Sequence, residues 1–201
     1  MRRLAVFCSG RGSNLAAILE AVAGRRVPAQ VALVLSDQPR AYALTRARRR
    51  RVPTIVVERS AYPTRAAFER AILRALAAHG IDYIALAGFM RILSPAFVRR
   101  YRGRILNIHP ALLPAFPGAH AVRDALRYGA TVTGVTVHVV DEGVDTGPIV
   151  LQAALPISPR DTESSLLAKL HRLEHRLYPR ALQLLLSGRL IMRGGRILVS
   201  K

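Results

Sequence analysis

The chain has 201 residues, 51% of them apolar, and a formal net charge of +19. That is enough apolar material for one α/β domain with a real core, and too much for a disordered chain. No apolar run is long enough to span a bilayer, and a single cysteine, Cys8, excludes an internal disulfide and fits a reducing cytosol.

Met1 to Cys8 has the basic start and apolar run of a leader. The run is short, however, and enters Ser9-Gly10-Arg11-Gly12 with no small-residue cleavage pattern, so Leu4 to Cys8 reads as a buried first strand. After the glycine loop come a helix near Leu15 to Ala23, a strand at Val31 to Leu35, a helix at Tyr42 to Arg51 and a strand at Thr54 to Val57. Thr64 to His79 is the clearest helix: Phe68, Ile72 and Leu76 recur at i, i+4, i+8, Thr64 is placed to cap it and Gly80 ends it. Tyr83 to Ala87 and Ile105 to Ile108 are apolar almost throughout, as central strands are. Val132 to Val139 and Ile149 to Leu155 read as later strands, antiparallel at one edge. Thr162 to Leu186 is a long helix that Pro179 should bend, and the chain closes on a short hairpin around Gly194-Gly195. Alternating strands and helices predict a mostly parallel sheet covered on both faces.

The charge invites a nucleic-acid reading. All the basic residues except Lys169 and Lys201 are arginine; they are spread along the chain, and the densest run, Arg46 to Arg51, has few aromatics near it for base stacking. The expectation is therefore arginine-solvated helix surfaces, whose field still favours an anionic small-molecule substrate.

Ser9-Gly10-Arg11-Gly12-Ser13-Asn14 lies between a strand and a helix, where free backbone N–H groups and the helix dipole attract anions. Leu15 stands where a dinucleotide fingerprint has its third glycine, and the Lys-Ser/Thr pair of a nucleotide P-loop is missing. The loop therefore suits a single phosphate; otherwise it is a tight turn with Ser13 as helix cap.

Asn107-Ile108-His109-Pro110 ends an apolar strand, and alternation puts Asn107 and His109 on one side of it. Asp141-Glu142-Gly143-Val144-Asp145-Thr146-Gly147-Pro148 is a glycine-rich loop holding three of the chain's 12 acidic residues. Singly, each residue has an ordinary structural reading. Together an amide, an imidazole and a carboxylate suit acyl transfer. Asn107 would donate to a developing oxyanion, His109 would move protons or carry compensating charge, and Asp145 would orient the ring or accept a proton, directly or through water. No G-x-S-x-G elbow is present, and His109, His120 and His138 lack zinc-site spacing.

Four stretches carry a resemblance: Ser9 to Asn14; Ala87-Gly88-Phe89-Met90-Arg91-Ile92-Leu93-Ser94; Leu106-Asn107-Ile108-His109-Pro110-Ala111-Leu112-Leu113-Pro114; and Asp145-Thr146-Gly147-Pro148-Ile149. In order and spacing the chain resembles the formyltransferase superfamily, and within it the enzymes that formylate glycinamide ribonucleotide. The resemblance implies one Rossmann-like α/β domain over residues 1–201, with 1–100 mainly the ribonucleotide-phosphate half and 101–201 mainly the catalytic and folate half. It implies Asn107, His109 and Asp145 as the catalytic trio, and Gly12, Ser13, Asn14 and Glu174 for the ribonucleotide. Arg65, Met90, Arg91, Ile92, Leu93, Val140, Asp141 and Val144 would serve the folate, and His138 is left as catalytic or structural. It further implies a cis Leu113-Pro114 bond, 10-formyltetrahydrofolate as co-substrate, no metal, no nucleic-acid or membrane partner, a monomer or homodimer, and a cytoplasmic site of action. Ala111, where relatives have serine, and Arg11, where small or polar residues are frequent, depart from the pattern. The deformylase and methionyl-tRNA siblings carry an added N-terminal or C-terminal domain; with the glycine loop at Ser9 and Lys201 last, neither is expected.

Overall fold

The computed structural model describes residues 1–200. Strands β1 (Arg2–Phe7), β2 (Ala29–Ser36), β3 (Thr54–Val56), β4 (Tyr83–Leu86), β5 (Ile105–His109), β6 (Val132–Val139) and β7 (Ile149–Pro156) form one sheet. Its spatial order is β3-β2-β1-β4-β5-β6-β7, so β4 lies at the centre with β5 beside it. β1 to β5 pair in parallel, whereas β6 runs antiparallel to β5 and β7 antiparallel to β6. The two antiparallel strands lie together at one edge, as expected, and β6 pairs directly with the strand that carries Asn107. A separate hairpin, β8 (Leu190–Arg193) and β9 (Arg196–Val199), turns at Gly194 and Gly195, both at positive φ.

Alternation along β1 builds the layers. Leu4, Val6 and Cys8 point into one apolar cluster, and Ala5 and Phe7 into the other. The first cluster is covered by α1 (Ser13–Ala23), α2 (Tyr42–Arg49), α5 (Ala121–Tyr128) and α6 (Glu163–Leu186); the second by α3 (Arg65–Ala78) and α4 (Pro95–Arg100). In α3, Phe68, Ile72 and Leu76 are buried, and the Thr64 side chain accepts from the Ala67 N–H. α4 and α5, of six and eight residues, were not anticipated. α6 runs unbroken through Pro179 and starts on a reciprocal cap between Thr162 and Ser165. The fully buried Tyr178 places its hydroxyl 2.9 Å from the carbonyls of both Leu86 and Leu106, pinning α6 across the ends of β4 and β5. No helix among the described residues is long and apolar enough to cross a membrane.

Strand order reverses between β1 and β4. The glycine loop after β1, the segment after β4 and the Asn107–His109 end of β5 thus meet at one rim, where open α/β sheets hold ligands.

Candidate active site

β5 and the loop after β6 bring the amide, imidazole and carboxylate together. Asp145 Oδ2 lies 3.4 Å from His109 Nδ1, and Asp145 Oδ1 lies 3.3 Å from Asn107 Nδ2. The Gly118 N–H donates to Asp145 Oδ2 at 2.9 Å. His138 joins them: its Nε2 is 3.5 Å from Asp145 Oδ1 and 3.2 Å from Asn107 Nδ2. The His138 ring foremost, by hydrogen bonding, then the Gly118 N–H and the charge of His109, hold the Asp145 carboxyl down at about 2, against the opposing effect of burial. Asp145 has φ 55, a left-handed backbone that Asp tolerates better than most residues.

His109 is buried at 4% exposure. Its Nε2 lies 2.8 Å from the Phe116 carbonyl, which only accepts, so Nε2 carries a proton. Its Nδ1 faces the ionised Asp145. The Phe116 carbonyl and the Asp145 carboxylate thus give each ring nitrogen an acceptor. The Leu113-Pro114 bond that follows is cis.

These four side chains form one end of a cavity of about 310 Å³. Met90, Arg91, Ile92 and Leu93 line one wall, and Val140, Asp141 and Val144 line the other. Seven of the eight residues expected on the folate side therefore meet there, drawn from both halves of the chain. Arg65 does not line it: its Nη2 donates to the Ile92 carbonyl at 2.8 Å, and its Nε lies 3.1 Å from Glu69 Oε1. A larger cleft of about 680 Å³ lies at the opposite end of the sheet, with Met1, Leu19, Val27 and Val52 in its walls. It has arginines but no carboxylate or imidazole, so size does not mark the reactive site.

The glycine loop sits outside the cavity's lining, tied to it through Ser9, whose N–H donates to the Gly88 carbonyl at 2.9 Å. Gly12, not Ser13, caps α1, at φ 69 with no side-chain cap. No side chain therefore caps the first-turn N–H groups of α1, the backbone groups that an anion at a helix start would use. A Cβ at Gly12 would lie 2.7 Å from that of Ala43, so glycine serves packing as well as approach. Asn14 turns inward. Its Nδ2 donates to Glu174 Oε2 at 2.8 Å in a buried contact, and its Oδ1 has no partner. Asn14 and Glu174, expected together at the ribonucleotide, are thus in direct contact.

Two groups in this region, Asp37 and Glu69, escaped the sequence reading, and His138 was named there without a settled role. His138 was left open, although Asn107 and His138 face each other across β5 and β6; pairing the two strands by their polar residues would have found it. Asp37 and Glu69 are isolated acids whose burial depends on the topology, and no motif marks them. Chemically, the centre offers a held carboxylate, a ring able to bear positive charge and an amide beside a partly apolar cavity. That is equipment for moving a proton and steadying an oxyanion.

Along nearly its whole length the chain is similar to known proteins. The formyl transferase profile matches residues 2–182. A phosphoribosylglycinamide formyltransferase of Bacillus subtilis (strain 168) is 45% identical over 186 residues, 92% of this chain and 95% of the relative. The trifunctional purine biosynthetic protein adenosine-3 of Drosophila pseudoobscura is 47% identical over 191 residues, and there the chain spans only 14% of the relative's length. The crystal structure of glycinamide ribonucleotide transformylase 1 from Symbiobacterium toebii superposes with a TM-score of 0.98 at 46% identity, over 100% of this chain and 95% of that one. The chain belongs to the formyl transferase family.

Proposed function

We propose that this protein transfers the formyl group of 10-formyltetrahydrofolate to the amine of glycinamide ribonucleotide, in the cytoplasm and without a metal. The observation that carries this reading is Asp145 held between His109, Asn107 and His138 at the end of a cavity walled by residues 90–93 and 140–144. The pteridine end of the folate would lie between those walls, against Met90, Arg91, Ile92, Leu93, Val140, Asp141 and Val144, with Arg65 bracing the first wall from behind. The ribonucleotide phosphate would rest on the backbone N–H groups of Gly12, Ser13 and Asn14, with Glu174 at the ribose or amine end.

The amine attacks the formyl carbon, and the carbonyl electron pair moves onto oxygen. His109, as imidazolium, and the Asn107 amide steady that oxyanion. The attacking nitrogen gives up its proton to Asp145, directly or through water, and that proton is passed by the same route to the folate N10 as it leaves, which resets the carboxylate. One formyl group and one hydrogen thus change places, and no covalent enzyme intermediate forms. Most of the acceleration is positioning and charge stabilisation.

The test is loss of formyl-folate by the purified protein, measured with and without glycinamide ribonucleotide. Loss that requires the ribonucleotide and yields its formyl derivative supports the reading. Equal loss without it is hydrolysis and contradicts the reading.

A further inference from the structure

Residues 88–94 link β4 to α4 without helical or strand hydrogen bonds, yet they form one wall of the cavity. Met90 and Ile92 are 64% and 66% exposed, so the wall's outer side chains are not held by packing, whereas Phe89, edge-on to Phe7, and Leu93 are buried in the second apolar cluster and hold it from beneath. Two buried carboxylates outside the cavity, Asp37 and Glu69, add polar ties to the exposed part of the wall. Asp37, directly after β2, accepts from Ser9 Oγ at 2.6 Å and from Arg91 Nε at 2.6 Å. Ser9 Oγ in turn accepts from the Met90 N–H at 2.9 Å. At the far end, Glu69 accepts from the Ser94 N–H at 2.7 Å and reaches Ile92 through Arg65.

Asp37 is the more telling of the two. Its side chain is 0% exposed, and the Gln38 amide adds a third donor to those of Ser9 and Arg91. β2, β1 and β4 are neighbours, so this one carboxylate joins three successive strand ends. One of them carries the glycine loop.

We propose that Asp37 is a positioning residue. Through Arg91 and Ser9 it fixes the 88–93 wall at the spacing the folate needs, and it gives that wall and the phosphate loop a common anchor. This rests on the cavity being the folate site. Asp37 touches no reacting atom, so its loss weakens folate binding and leaves the chemical step in place.

The experiment is calorimetric titration with tetrahydrofolate, which binds without turnover, alongside steady-state kinetics. Failure of the wild-type protein to bind defeats the folate reading itself, separately from the role of Asp37. With binding established, Asp37→Ala should raise the folate Kd and KM by about 10- to 100-fold, the usual cost of removing a group that orients a binding residue. Its kcat at saturation should stay within about threefold, the transition-state contacts being intact. Asp37→Asn, of the same size, keeps the Ser9 contact and should fall between the two; it serves equally if the alanine variant does not fold. Hydrogen exchange at the Met90 amide should quicken in both variants. Wild-type folate affinity in the variants, or a fall in kcat at unchanged KM, overturns the proposal.

Discussion

Replacing Asp145 by Asn removes one charge and little else. The residue sits at φ 55, which Asn also tolerates, so the backbone is not strained. The amide oxygen keeps the Gly118 N–H, now 2.9 Å from Oδ2. What disappears is the carboxylate that faces His109 at 3.4 Å and His138 at 3.5 Å. Its carboxyl is held at about 2, against about 3.9 in an unfolded chain, a difference worth about 2 kcal/mol of stability. Because the folded value is the lower one, that contribution is whole above about pH 4 and is lost as pH falls toward 2. Asn retains part of it through Gly118, so the variant should lose about 1–2 kcal/mol at neutral pH, or about 2–8 °C in melting temperature. Turnover should fall much further, by about 10²–10⁴-fold, as when a proton acceptor is removed. Steady-state loss of formyl-folate at saturating ribonucleotide, with thermal melts at pH 7 and pH 3, measures both. A kcat within about threefold of wild type, in a folded variant, would refute the role given to Asp145.

Other outcomes follow from the same geometry. His109→Ala should lower kcat by about 10²–10⁴-fold with modest change in either KM; an effect confined to KM would count against the oxyanion role. Gly12→Ala meets Ala43 at 2.7 Å and forces φ 69 on a residue with a Cβ, so it should cost about 1–3 kcal/mol in denaturant unfolding. The same variant should weaken the ribonucleotide more than folate in titrations, and equal losses would contradict the phosphate cradle. Tyr178→Phe leaves the carbonyls of Leu86 and Leu106 without their shared buried hydroxyl, at a cost of about 1–3 kcal/mol in urea unfolding; an unchanged midpoint would show that they find other partners.

Much of the frame was legible because it follows from periodicity. β1, the glycine loop and α3 were visible as an apolar run, a pair of glycines and an i, i+4, i+8 stripe. The Asn107–His109 pair was visible because strand alternation places both on one side. Asp145 could be nominated because acids are scarce in so basic a chain. The unread parts depend on contacts remote in sequence. Asp37 and Arg91 are 54 positions apart and meet only because β2, β1 and β4 are neighbours. His138 enters the centre through the antiparallel register of β6 on β5, which the expected edge pair of strands did not specify. The loop pattern offered the Asn14 backbone to a phosphate but said nothing of its side chain, which is turned toward Glu174 on α6. The two short helices carry too few turns to show an apolar stripe.

The account's central claim is that the two substrates meet at Asp145. A structure with glycinamide ribonucleotide and an unreactive 10-formyltetrahydrofolate analogue tests it most directly. The predicted result is a pteridine between residues 90–93 and 140–144, a phosphate on the N–H groups of Gly12 to Asn14, and the amine and formyl positions both beside Asn107, His109 and Asp145. A folate bound in the cleft formed by Met1, Leu19, Val27 and Val52, with the Asp145 cavity left to solvent, would contradict it.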